Sequence, residues 1–225
     1  EPGAKGMNAP RTGSRAHRGS TAFSLIELLV VIAILGLLLG LAAPAISGML
    51  RGSGVTSAGD MIVAALTRAR QNAMSLNRTI EVRLIKYPDP SAPAEPPDGR
   101  YRAIQVFAIE RTPSGVSTNL VGRKVTLPAA ACVASQPTLS SILAPGMATT
   151  ATGAALGQTV QPVGLAYTAA IFRFYPDGST SLPPGQNAFL TVVPTLTPDT
   201  ETTVPANFAT IAIETATGKP RIHRP

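Results

Sequence analysis

Few residues of this 225-residue chain are of types suited to catalysis, and their spacing does not bring them together. The two histidines, His17 and His223, lie near opposite ends. A Ser/His/Asp or Cys/His arrangement needs its base within hydrogen-bond reach of the nucleophile, so any such site would have to recruit a terminal His. Cys132 is the single cysteine, which excludes an intrachain disulfide and a thiolate metal cluster. In its Ala-rich stretch it reads as a small packing residue. There is neither a His/Cys cluster nor an EF-hand run of carboxylates, so no metal or cofactor is implied. Asp177, in "YPDGS", reads as a turn former, and "GLLLG" at 36–40 is no phosphate loop. The chain does not read as an enzyme.

One acid stands out for its surroundings. From Phe23 to Ile46 only Ser24 and Glu27 are polar, and the sixteen residues Leu28 to Ala43 carry no charge or hydrogen-bonding side chain. As a helix the longer stretch would measure about 36 Å, enough for a hydrocarbon core of about 30 Å. A charge near a bilayer centre costs roughly 2.5–3.5 kcal/mol on insertion scales, so an intramembrane Glu calls for a partner. Gly36 and Gly40 have small-xxx-small spacing, which chance in a Gly-tolerant membrane helix explains equally well.

The charge balance bears on topology more than on partners. Of the net +7, three units fall in residues 1–22, where Lys5, Arg11, Arg15 and Arg18 face Glu1. Basic residues directly before an apolar span mark a cytoplasmic flank. The remaining excess is small, which disfavours a nucleic-acid surface. Residues 1–6, before Met7, are set aside as a possible upstream misread. With 14% charged and 4% aromatic residues and abundant Gly and Pro, the rest suits short strands and turns, with a modest core.

Three readings of the apolar run stay open on the residues alone. A cleaved secretory signal would use Ala43-Pro44-Ala45, but the core is long for one, a Pro sits inside the cleavage site, and Glu27 serves no purpose. A permanent anchor would leave Glu27 unexplained as well. The third rests on a resemblance: "AFSLIELLVVIAILG" resembles the leader of type IV pilins and type II secretion pseudopilins. The resemblance implies cleavage by a prepilin peptidase between Ala22 and Phe23, with N-methylation of Phe23. The family usually carries Gly where this chain has Ala22, and Ala is small enough to serve. Glu27 becomes the fifth mature residue, and the new terminal amine of a neighbouring subunit can pair with it. Two charges that are costly apart become one compensated pair that sets register. Pro44 matches a common pilin position, where it would bend the helix; the simple end of a membrane helix is the alternative.

Beyond a Gly/Ser break at "SGMLRGSG", Ala58, Ile62, Ala65, Leu66, Ala69, Ala73 and Leu76 recur at helical spacing, predicting an amphipathic helix lying against a sheet. Arg68, Arg70 and Arg78 read as a solvated face. "RTIEVRLIKY" alternates Ile80, Val82 and Leu84 with Glu81 and Arg83, a half-buried strand. The Pro-rich 88–99 reads as an exposed loop, "YRAIQVFAIE" as the strand pairing back to the first, and "NLVGRKVTL" as a third short strand. Residues 128–166, poor in large hydrophobes, read as a loop or irregular insertion with one helical turn near "TLSSILA". Strands resume at "AAIFRFYPDGSTSL", "NAFLTVV" and "NFATIAIE".

The predicted organisation is therefore α+β, a long N-terminal transmembrane and amphipathic helix followed by an antiparallel β-sheet domain. Its parts are a leader at 1–22, a membrane and assembly helix at 23–50, an amphipathic helix at 51–77 and a periplasmic β-rich domain at 78–225. "ARQNAMSLNRTIEVRL", "FRFYPDGST" and "ATIAIETATGKPRI" look like the GspH/FimT group of minor pseudopilins. The order of these segments is more similar still to the Verru_Chthon cassette protein D family. The resemblance implies a single-pass inner-membrane subunit, its C-terminal domain periplasmic, that enters a secretion pseudopilus or a type IV pilus-like filament. Its partners would be the prepilin peptidase and other pilin-like subunits. The alternatives are a DNA- or partner-binding minor pilin, using Arg221 and Arg224, and an anchored domain that never polymerises.

Overall fold

The computed structural model describes residues 24–89, 98–113 and 115–225, with backbone alone for 41–52. Two compact units divide the chain, Glu1–Pro44 and Ala45–Pro225.

Helix α1 is assigned over Leu25–Leu76. Ser24 stands directly before it, and its carbonyl accepts a hydrogen bond from the Leu28 N–H at 3.1 Å. The Gly/Ser stretch at 47–54, read as a break, is helical. Glycine in a helix costs only about 1 kcal/mol relative to Ala, a penalty that packing of the flanking turns overrides. The end of α1 has a clear local cause: Asn77 adopts φ 51° and the Arg78 N–H reaches back to the Ala73 carbonyl at 3.2 Å. That is a Schellman closure, with Asn in the left-handed position Gly more often takes.

In the second unit Val55, Ala58, Ile62, Leu66, Ala69 and Ala73 of α1 are fully or almost fully buried. They pack with Ile80, Val82 and Leu84 of β1 (Ile80–Tyr87) and with Phe172 and Phe174 of β7 (Thr168–Phe174). Burial of each Ile, Leu or Phe contributes about 1.5–3 kcal/mol before ordering entropy is charged. Glycine eases one close approach of helix to sheet: a Cβ on Gly59 would lie 2.8 Å from Ile222 Cδ1 and 3.3 Å from Ala209 Cβ, so a larger residue here displaces the Ile222 side chain.

The sheet is antiparallel throughout. β2 (Arg100–Thr112) pairs with β1 as the long-looped hairpin predicted, with a bulge between Ile85 and Lys86. On the other side of β1 lies β7, and β6 (Thr149–Thr152) forms that edge. From β2 the order continues through β5 (Ala131–Val133), β8 (Ala188–Pro194) and β9 (Ala209–Ile213) to β10 (Pro220–His223). "NLVGRKVTL" is two strands rather than one: β3 (Gly115–Leu120) and β4 (Val125–Thr126), each pairing with β2. Edge strand β10 opens with Pro220, a residue tolerated at such positions because it lacks the N–H a ladder needs. Helix followed by antiparallel sheet confirms the α+β class.

Two sequence expectations fail together on the outer face of the sheet. Segment 128–166 is more ordered than an irregular insertion: the helical turn expected near "TLSSILA" is a 3-10 turn at Ser141–Leu143, but the segment also contains β5, β6 and the four-residue helix α2 (Gly153–Leu156). Its Val160, with Tyr167 just beyond it, packs on Ile85, Ala103, Ala169 and Ile171, and its Ala134 and Leu139 on Cys132 and Val193. Consequently Glu81 and Arg83, read as the exposed side of a half-buried strand, are only 3% and 2% exposed. The expected solvated face of α1 is also partly engaged, because Arg70 Nε donates to the Thr217 carbonyl at 2.6 Å and ties α1 to the β9–β10 hairpin.

Candidate functional site

The predicted processing site, Ala22 and Phe23, lies outside the described residues, as do the rest of the leader and residues 90–97 of the Pro-rich loop. Pro44 is helical in backbone. Glu27 sits in the first turn of α1.

The helix around Glu27 is apolar on every side. Leu25, Ile26, Leu28, Leu29, Val31 and Ile34, which point in all directions around 3.6-residue turns, are each between 44% and 81% exposed. A helix hydrophobic all round belongs in lipid or in a protein core rather than in water. Among the described residues no helix is long and apolar enough to cross a membrane. The predicted span runs on through 41–50, where only backbone is described.

Ser24 and Glu27 have the S-x-x-E spacing of a capping box, a local signal the sequence reading missed. It offers a second account of the acid. An acid in a first turn gains typically about 0.3–1 kcal/mol from the helix dipole, against roughly 2.5–3.5 kcal/mol for a charge at the bilayer centre. Local capping offsets a minority of that cost, so it does not remove the need for a partner.

The groups weighed for catalysis are dispersed. Asp177 Oδ1 accepts from the Ser179 N–H at 2.9 Å and hydroxyl at 2.7 Å, and the Gly178 N–H bonds the Tyr175 carbonyl, so Asp177 closes a turn. The Ser179 hydroxyl, then its N–H, hold the Asp177 carboxyl below the usual range. Cys132 is fully buried, and burial pushes its thiol up despite the nearby Arg100, the opposite of what a nucleophile needs. His223 is exposed on β10. Among the described residues no group of three or more His, Cys, Asp or Glu could hold a metal ion.

The strongest electrostatic feature was not anticipated. Glu81 Oε1 accepts from Arg83 Nε at 2.7 Å, while its Oε2 accepts from Arg173 Nε at 3.1 Å and Nη2 at 3.0 Å. Arg83 also lies 4.1 Å over the Phe107 ring and bonds Gln158 on the covering segment. Both oxygens and both guanidinium forks are used within the chain, so the triad clamps residues 158–167 to the sheet. The signal for it was the pairing of Glu81 with Arg173 across adjacent strands, which needs the register to be known.

Comparison with known proteins bears on the N-terminal segment. Residues 17–43 match the prokaryotic N-terminal methylation motif. No curated protein matches the chain. The crystal structure of the type IV minor pilin FimU of Pseudomonas aeruginosa aligns over 76% of this chain and 87% of its own. The identity is 16% and the TM-score 0.38, too loose a superposition to argue from. The chain thus carries a prokaryotic N-terminal methylation motif, and the motif encloses Ala22, Phe23 and Glu27.

Proposed function

We propose that this protein is a structural, prepilin-like subunit. It is cut between Ala22 and Phe23, N-methylated on Phe23, and assembled through its apolar helix into a pseudopilus or type IV pilus-like filament. Before assembly the helix spans the inner membrane with the C-terminal domain on the periplasmic side. The observation that carries this reading is a methylation motif at 17–43 continuing into a helix exposed and apolar on every side except at Glu27. In such a polymer the terminal amine of one copy neutralises Glu27 of the next, while the remaining side chains are covered by neighbouring helices. No reacting group is assigned in the globular unit, whose role is to be carried and displayed.

N-terminal sequencing of the chain coexpressed with a prepilin peptidase tests the processing step. A methylated Phe23 supports the proposal; an intact leader identifies a plain anchor, and a start near Ile46 an ordinary signal. For assembly, Glu27→Gln is the informative variant, since Gln keeps the capping-box pattern and removes the charge. Processed Glu27→Gln subunits are expected to yield at least about tenfold less filament than wild type. Equal yield would show that charge pairing is not what the acid is for.

A further inference from the structure

Beside the turn between β3 and β4, α1 and the sheet leave a groove of about 220 Å³. Ala65, Ala69, Val106 and Val121 form its apolar floor, and Arg68 and Arg123 stand on its rim. Both arginines are exposed, and neither makes an ion pair or side-chain hydrogen bond among the described residues, whereas Arg70, Arg78, Arg83 and Arg173 all do. An apolar slot between two free guanidinium groups fits apolar side chains flanked by a carboxylate.

The same chain presents that complement elsewhere. In the loop joining β8 to β9, Leu196 is 71% and Val204 48% exposed. Between them lies Glu201, partly exposed. Its Oε1 accepts from the Thr203 N–H at 3.0 Å and from the Thr203 hydroxyl, and it makes no ion pair among the described residues. The loop is fixed from beneath: Arg100 Nη1 donates to the Thr197 carbonyl at 2.8 Å and Asp199 Oδ1 at 3.1 Å, and Gln136 Nε2 to the Asp199 carbonyl at 2.7 Å. Turns close from Thr197 to Pro194 and from Glu201 to Pro198. A loop held this way loses little further freedom on docking.

We propose that the Arg68–Arg123 groove receives the Leu196–Val204 loop of a second copy of this chain, with Glu201 meeting the two arginines. Groove and loop are different patches, and in the filament each engages a different neighbour, a heterologous contact that extends an open polymer when its rotation does not close a ring. The inference rests on the filament reading above and adds to it a contact between globular units, independent of the Glu27 pairing.

The test uses the full chain, processed in membranes containing prepilin peptidase. The double variant Ala64→Cys, Thr202→Cys places one thiol at each patch, at exposed positions. Oxidation is expected to give a ladder of disulfide-linked multimers, while either single variant stays monomeric. In the double-cysteine background, Arg123→Glu is expected to weaken the ladder about tenfold or more, and adding Glu201→Arg to restore it, because each copy then carries both halves of the swapped pair. A ladder indifferent to both charge changes, or absent from chains that still form filaments, overturns the groove contact and leaves the filament reading standing. Processed wild-type chains that form no filament at all overturn both. Loss of a different protein from purified filaments in the Arg123→Glu variant, with the ladder unchanged, assigns the groove to that protein and likewise overturns the proposal.

Discussion

Residues 25–40 and 55–76 belong to one assigned helix and treat their apolar side chains in opposite ways. In the first stretch Leu35 is 51% exposed and its apolar neighbours on every side are exposed too; in the second, Leu66 is wholly buried. The difference lies in the pattern rather than in hydrophobicity. The second stretch confines Ala58, Ile62, Ala65, Leu66, Ala69 and Ala73 to one stripe, which a single sheet can cover. Around the first there is no polar face left to turn toward water, so the cover must come from lipid or from many neighbours. A stripe specifies a fold within the chain; an apolar cylinder specifies a surrounding.

That contrast is open to attack by paired substitutions. The largest effect is expected from Leu66→Ala, which leaves a cavity under the sheet and costs about 2–5 kcal/mol. Leu35→Ala should stay within about 0.5 kcal/mol, as surface changes do. Urea unfolding of the full chain in detergent, followed by a signal from the globular unit, measures both. Comparable losses would mean that the two stretches do not differ as described.

Glycines provide the next pair. Gly59→Val drives a side chain toward Ile222 Cδ1, where even a Cβ would sit at 2.8 Å, and should cost about 1–3 kcal/mol. Gly36 has nothing within 4 Å, so Gly36→Val should leave the unfolding midpoint unchanged. The comparison would be sharpened further if Gly36→Val impaired filament yield alone, placing a neighbour's helix at that position.

The smallest expected effect concerns pH at the turn that meets the C-terminal end of α1, where a Cβ on Gly178 would come 3.1 Å from Arg70 Nη2. The Asp177 carboxyl is held low by Ser179. A depressed folded value contributes stability that is complete above the unfolded carboxyl range, near pH 4, and lost as pH falls through the lower folded value. Asp177→Asn should therefore lower the thermal midpoint slightly at neutral pH and flatten its fall between about pH 4 and pH 2, where the two proteins converge. A gap that persists below about pH 2 would show that the turn holds α1 by more than its charge.

Much of the fold was legible because periodicity is written locally. The helical stripe named its own core residues, the Ile80–Val82–Leu84 alternation named the inner face of β1, and "PDG" named its turn. Leu76 was misassigned: it continues the spacing but is 50% exposed, one residue before Asn77 turns the chain away. The alternation at Glu81 and Arg83 correctly gave a second face and wrongly gave that face to water. Segment 128–166 is poor in the large hydrophobes that mark a core, and it covers the sheet with Ala, Val and Leu contacts no local pattern announces.

By itself the sequence determined the α+β class, the one-sided helix, and a leader-like segment with an acid inside an apolar run. Those features depend on residues within a few positions of each other, where 3.6- and 2-residue periods act directly. Only the tertiary structure decided that buried Glu81 and Arg83 form one triad with the exposed Arg173, that Gly59 is where helix meets sheet, and that Arg68 and Arg123 share a groove. Each joins residues from distant parts of the chain, and which of them meet is set by strand register and by packing of the whole.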